Sequence, residues 1–124
     1  MGNTRIEPAQ LRAELQQFTG TEKWYRHWIN RRMLFTDGVK FFAENAGGGA
    51  FWFLDVIATE IFRLQAKEPF LVVVLDVEDN HAEITADDGD GNVVYTRRID
   101  YTDAPPGMWR FYLSENVLLL PSEY

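Results

Sequence analysis

At Pro69 the hydrophobic period of this 124-residue chain changes from that of helices to that of strands. Upstream, apolar side chains recur at intervals of three and four; downstream, they alternate. Across Phe70–Glu78 one side reads Leu71, Val73, Leu75 and Val77, all apolar, while the other begins with Phe70, Val72 and Val74 and ends on Asp76 and Glu78. Such a segment is an interior strand that emerges into solvent. Helices first and strands afterwards is the order of an α+β fold, with N-terminal helices packed on one face of a C-terminal antiparallel sheet of about four to five strands. The chain suits one domain over residues 1–124, because 46% apolar and 15% aromatic residues are enough for a core without disulfides or metals.

Before Pro69, Leu11, Leu15 and Phe18 share one face of a helix over residues 7–18, with Gly20 as its stop. Thr4 and Glu7 resemble a capping box, while Pro8 suits the first helical position. Residues 23–35 (KWYRHWINRRMLF) fit neither period and read as an extended segment with a short strand at most. Asp37-Gly38 is a hairpin turn or a helix start, and the residues after it decide. Val39, Phe42, Ala43 and Ala46 fall on one face, with Lys40 and Glu44 on the other, so Asp37 is expected to cap a helix through Ala46. Beyond Gly47-Gly48-Gly49, residues 50–66 form a longer helix. Its apolar face, Leu54, Ile57, Ala58, Ile61 and Leu64, is widened by Phe51, Phe53 and Phe62, so it is expected to centre the core and pack on Leu71, Val73 and Leu75.

A hairpin follows the interior strand. With Asp90-Gly91 in a type I′ turn, Asp88 faces Val93, Thr85 faces Thr96, Glu83 faces Arg98 and Ala82 faces Ile99, pairing opposite charges and matching hydroxyls. Residues 92–101 form the second arm. Pro105-Pro106-Gly107 turns the chain, residues 109–113 alternate, 114–116 turn again, and 117–120 make a final apolar strand.

Charge is unevenly distributed. Twelve Lys and Arg stand against 19 Asp and Glu, and residues 68–96 contain eight of those acids and no Lys or Arg. Within that stretch Asp76, Glu78, Asp79, Asp87, Asp88 and Asp90 form a candidate docking face for a protein with a basic surface. The plainer alternative is a solvated hairpin that keeps a small protein from aggregating. Lys23, Arg26, His27, Arg31 and Arg32 interleave with Trp24, Tyr25 and Trp28. Trp24, Trp28 and Arg31 join the candidate partner-binding residues, since Trp and Arg are enriched at interface hot spots. The same composition suits stacked bases and phosphates, but a net charge of −7 disfavours nucleic acid. The ordinary alternative places these aromatics in the core and the cations in solvent.

Motifs for chemistry are sparse, and no catalytic residue, metal ligand or cofactor is assigned. The absence of cysteine excludes disulfides, thiolate metal sites and thiol nucleophiles. His27 and His81 lack a paired metal spacing, Ser114 and Ser122 lie outside any nucleophile elbow, and the triple glycine lacks the Lys-Ser/Thr of a phosphate loop. Asp88, Asp90 and Asn92 imitate half of a calcium loop, but Val93 and Ile99 stand where glycine and a bidentate Glu are needed. No apolar run suffices for a membrane span and the first residues lack a signal-peptide core, so a cytoplasmic protein with no membrane contact is expected.

Phe18-Thr19-Gly20-Thr21-Glu22, Thr36-Asp37-Gly38-Val39, Tyr101-Thr102-Asp103 and Leu120-Pro121-Ser122-Glu123-Tyr124 together resemble a family of small bacterial proteins of unknown function carried on plasmids, prophages and other mobile elements. The likeness runs from about Leu11 to Tyr124 and takes in Trp52 and Asp55. The triplet Gly47-Gly48-Gly49 is longer than the usual connector of that family. The resemblance implies a mobile-element context and no reaction. The expected function is therefore that of a non-enzymatic binding protein occupying a host or phage protein, in the manner of anti-CRISPR-like inhibitors of host defence. The alternative is a small accessory enzyme or ligand-binding domain with a cleft between helices and sheet, using Asp37, Asp55 or His27.

Overall fold

The computed structural model describes residues 7–124, so Thr4, half of the expected capping box, lies outside the described residues. Pro8 is the first helical residue of α1 (Pro8–Leu15), where its missing N–H costs nothing, and Glu7 precedes it without a side-chain cap. Strands β1 (Trp24–Arg26) and β2 (Leu34–Thr36) come from the segment that showed no period. Helices α2 (Asp37–Asn45) and α3 (Phe51–Val56) follow, then β3 (Phe70–Glu78), β4 (His81–Asp87), β5 (Val93–Ile99), β6 (Gly107–Ser114) and β7 (Val117–Leu119).

The strands form one seven-stranded sheet in the order β1-β2-β7-β6-β3-β4-β5. This is an α+β fold, but the sheet is larger than four to five strands and is mixed, because β2 and β7 pair in parallel. The extended segment expected to hold one short strand at most supplies two, β1 and β2, each three residues long and mixed in polarity, so that no period marks them. The inner face of the sheet, including Leu71, Val73, Leu75, Ile84, Phe111 and Leu113, forms one buried cluster with Leu11, Phe42, Phe53, Leu54, Ile57 and Ile61 from the helices. The expected packing of Leu54, Ile57 and Ile61 with Leu71, Val73 and Leu75 lies within it, all six fully buried.

Two local expectations are corrected. Thr36, not Asp37, caps α2: Thr36 has the extended backbone a cap requires, and its Oγ1 accepts from the Val39 amide at 3.3 Å. Asp37 is already helical, and its carboxylate turns back to accept from the Glu22 amide and the Tyr25 hydroxyl, each at 3.0 Å. At the β4–β5 hairpin the pairs Ala82/Ile99, Glu83/Arg98 and Thr85/Thr96 stand as expected, but a bulge places Asp87, not Asp88, opposite Val93. Asp88 folds the loop around itself, accepting from the amides of Asp90 and Asn92 and from the Asn92 side chain. Gly89 and Gly91, at φ of 91° and 92°, allow that path.

The helix expected over 50–66 is helical throughout but not regular. After α3 it widens into a π turn at Ile57–Ile61 and then tightens into a 3₁₀ turn at Phe62–Ala66. No apolar spacing signals such a change, and π turns concentrate at functional sites.

Leu54→Ala is expected to cost about 2–5 kcal/mol, the range for removing a large side chain from a packed core. Urea denaturation measures this, and an unchanged midpoint would remove Leu54 from the core. The Glu22 amide, donating to Asp37, holds its carboxyl below the usual carboxylate range. A group lowered in this way stabilises the fold above its unfolded pKa and loses that contribution as pH falls through its folded value. The stability gap between the parent and Asp37→Asn is thus expected to be full near neutral pH and to shrink below about pH 4. Urea midpoints across that range test the sign, and a gap that does not vary with pH would refute it.

Candidate functional site

The loop of residues 27–33, joining β1 to β2, is held from three directions. His27 is fully buried, and its Nδ1 accepts from the amides of both Ile29 and Asn30 at 3.1 Å. Nδ1 therefore carries no proton, and Nε2 donates to Asp55 Oδ1 of α3 at 2.8 Å. Asn30 Nδ2 donates to the carbonyl of Ala58 inside the π turn at 2.9 Å, and Asn30 Oδ1 accepts from the Arg32 amide. The Arg26 guanidinium donates to the Arg31 carbonyl at 2.7 Å. The π turn is gripped from its other side as well, since Tyr95 and Arg97 of β5 both donate to Glu60. Burial first, and then the bond to Glu60, push the Tyr95 hydroxyl up to about 12.

This clamp leaves apolar side chains outside. Trp28 stacks on His27 at 4.2 Å between centroids and leans on Phe35 and Phe51, yet stays 47% exposed, and Ile29 beside it is 61% exposed. Arg26, Arg31 and Arg32 are exposed around them. Trp24 stands before the loop, on β1, where it shares its face of the strand with Arg26 and is 56% exposed.

Beside the loop lies a half-open cleft of about 540 Å³ between Asn30 and Arg32, the residues from Ala58 to Ala66 that face them, and Asn116 of the β6–β7 turn. Sequence reasoning missed most of it. Arg63 reads as part of a polar stripe and Asn116 as a turn residue, and no signal along the chain connects them to Arg32.

The acidic candidates fall into two groups. Asp76 of β3 faces Glu83 of β4, Glu78 lies two residues on, and Asp79 turns the chain at φ 57°. Asp76, Glu78 and Glu83, with His81 and Arg98, line a small hollow of about 180 Å³. Asp87, Asp88 and Asp90 lie at the far end of the hairpin. Since Val72 pairs with Asp87 and Asp76 with Glu83, the nearest members of the two groups, Asp76 and Asp87, are separated by four strand residues, about 13 Å. Asp88 is bound into its own loop, and the Asn92 side chain lowers its carboxyl from the usual value. Among the described residues no three His, Asp or Glu side chains converge as a metal site.

The polar groups weighed for an enzyme are engaged elsewhere: Asp37 ties the 21–25 segment to α2, and His27 and Asp55 bind each other with the imidazole sealed from solvent. The motif stretches at 36–39 and 120–124 also meet. The Glu123 carboxylate accepts from the Thr36 hydroxyl at 2.6 Å, the Gly38 amide at 3.0 Å and the Leu120 amide at 3.0 Å.

The family described as one of unknown function, DUF6876, matches residues 9–124. No curated protein and no solved structure matches the chain. No helix among the described residues is long and apolar enough to cross a membrane.

Asn30→Ala strips the Ala58 carbonyl and the Arg32 amide of their partners. It is expected to cost about 1–3 kcal/mol, the penalty for leaving part-buried polar groups unpaired. It should also speed amide exchange at residues 28–32, which hydrogen–deuterium exchange reads directly. Unaltered exchange there would show that His27 alone holds the loop.

Proposed function

We propose that this chain, which belongs to the DUF6876 family, is a non-enzymatic binding protein that docks on a partner protein through the 27–33 loop, with Trp28 and Ile29 at the centre of the contact and Arg31 and Arg32 at its rim. One observation carries the proposal: the loop is locked by part-buried polar bonds while Trp28 stays half-exposed and Ile29 mostly exposed. A loop ordered in advance loses little entropy on binding, and an exposed Trp ringed by Arg has the make-up of an interface hot spot. The matching surface on the partner is apolar at its centre with carboxylates around it. The mobile-element carriage implied by the motif resemblance makes the partner a host or phage protein, and occupation of a host defence component the outcome.

A basic partner on the acidic end of the sheet is favoured by a different observation. Asp76 and Glu83 are like charges directly opposite each other on neighbouring strands, an arrangement that destabilises a sheet unless cations face it. Arg98, opposite Glu83, supplies one such cation.

The test is capture of partners from a bacterial lysate, followed by affinity measurement with the purified partner. Ile29→Asp and Trp28→Ala are each expected to weaken binding by about 2 kcal/mol or more, a hot-spot loss, with the fold retained. Retained affinity in both variants, with loss in an Asp76→Lys/Glu83→Lys double variant, would transfer the interface to the acidic end of the sheet.

A further inference from the structure

The cleft beside the loop has a chemistry of its own. Most of its neutral polar groups are engaged within the protein. Asn30 is bonded to Ala58 and Arg32. Gln65 Oε1 accepts from the Asn116 amide at 2.9 Å, while Gln65 Nε2 donates to the Phe62 carbonyl at 3.1 Å. The Thr59 hydroxyl donates to the Asp55 carbonyl at 2.7 Å. What remains is the two guanidiniums, Arg32 and Arg63. Neither forms an ion pair among the described residues, and no carboxylate lines the cleft, although the chain contains 19 Asp and Glu. Arg32 is held over the Phe62 ring at 5.7 Å, which steadies its fork at the rim.

A concave site with two cationic side chains and no carboxylate selects an anion. Guanidinium forks match tetrahedral phosphate oxygens in bidentate fashion, and the volume suits a small molecule rather than a polymer groove. We infer that this cleft binds the phosphate group of a small phosphorylated molecule, with Arg32 and Arg63 as its two anchors. The net charge of −7 repels a polyphosphate chain at long range while leaving a single phosphate free to enter. The inference is independent of the docking role of Trp28 and Ile29, and only Arg32 takes part in both.

Calorimetric titration at constant ionic strength, with inorganic phosphate and phenyl phosphate as probes and chloride as control, tests it. Saturable binding of both phosphates is expected in the parent. A loss of about tenfold or more is expected in Arg32→Gln and in Arg63→Gln, the worth of a charged hydrogen bond. Arg110→Gln, on the opposite face of the sheet, should leave binding unchanged. Equal affinity in the Arg63→Gln variant, or no saturable heat from either phosphate, would overturn the assignment. So would a short single-stranded oligonucleotide that displaces phenyl phosphate and binds more tightly. Ile29→Asp separates the two proposals, since it should abolish partner capture and leave phosphate binding intact.

Discussion

Three residues near the end of the chain hold the sheet together. Val117–Leu119 forms β7, which lies between β6 on one side and β2 on the other. Without it, the β1–β2 hairpin would have no edge to join. The position is reinforced just beyond the strand, where Glu123 reaches the cap of α2 and bonds to Thr36 and Gly38, partners 87 and 85 residues away in sequence. Gly38 leaves room for this contact, because a Cβ at that position would come within 2.5 Å of the Leu120 side chain and 2.9 Å of the Glu123 carboxylate, and both would have to shift. Two motif stretches more than 80 residues apart are thus the two halves of one contact. Pairing so far apart in sequence raises the contact order, which slows folding.

The irregular helix and the 27–33 loop depend on each other in a similar way. A π turn departs from the normal hydrogen-bond ladder, and in this chain the Ala58 carbonyl within it is taken by Asn30 while Glu60 takes Tyr95 and Arg97. Loop, helix and far strand therefore exchange polar contacts across the top of an otherwise apolar core. His27 serves that arrangement by accepting two loop amides on one nitrogen and donating to Asp55 from the other. The result is a rigid platform that presents apolar side chains, the property that distinguishes a binding surface from a solvated turn.

Electrostatically the molecule is divided. The acids of residues 76–90 occupy two ends of a hairpin, and the hairpin-loop group is partly consumed by its own backbone, through Asp88 above all. The cations of the loop and of the 3₁₀ turn gather at the other side of the sheet order, around a cleft that no carboxylate enters.

Much of this was legible along the chain. The apolar face of β3, the helix from Asp37 to Asn45 and the hairpin register from Ala82/Ile99 to Thr85/Thr96 follow from periods and pairings that repeat within a few residues. The helical extent of residues 50–66 did too, since nearly every turn of it is apolar. Tertiary structure decided the rest: that Thr36 and not Asp37 caps α2, that β7 enters the middle of the sheet in parallel, that the helix widens at Ile57, that the acids split into two groups, and that Arg32 meets Arg63 in one cleft. The cap and the widened helix turn on polar groups whose partners lie elsewhere in the chain, Glu123, Glu22 and Tyr25 for the first and Asn30 for the second. Hydrophobic burial acts locally and repeats, so it leaves a pattern in the sequence, whereas a single hydrogen bond between distant residues leaves none until the fold has brought them together.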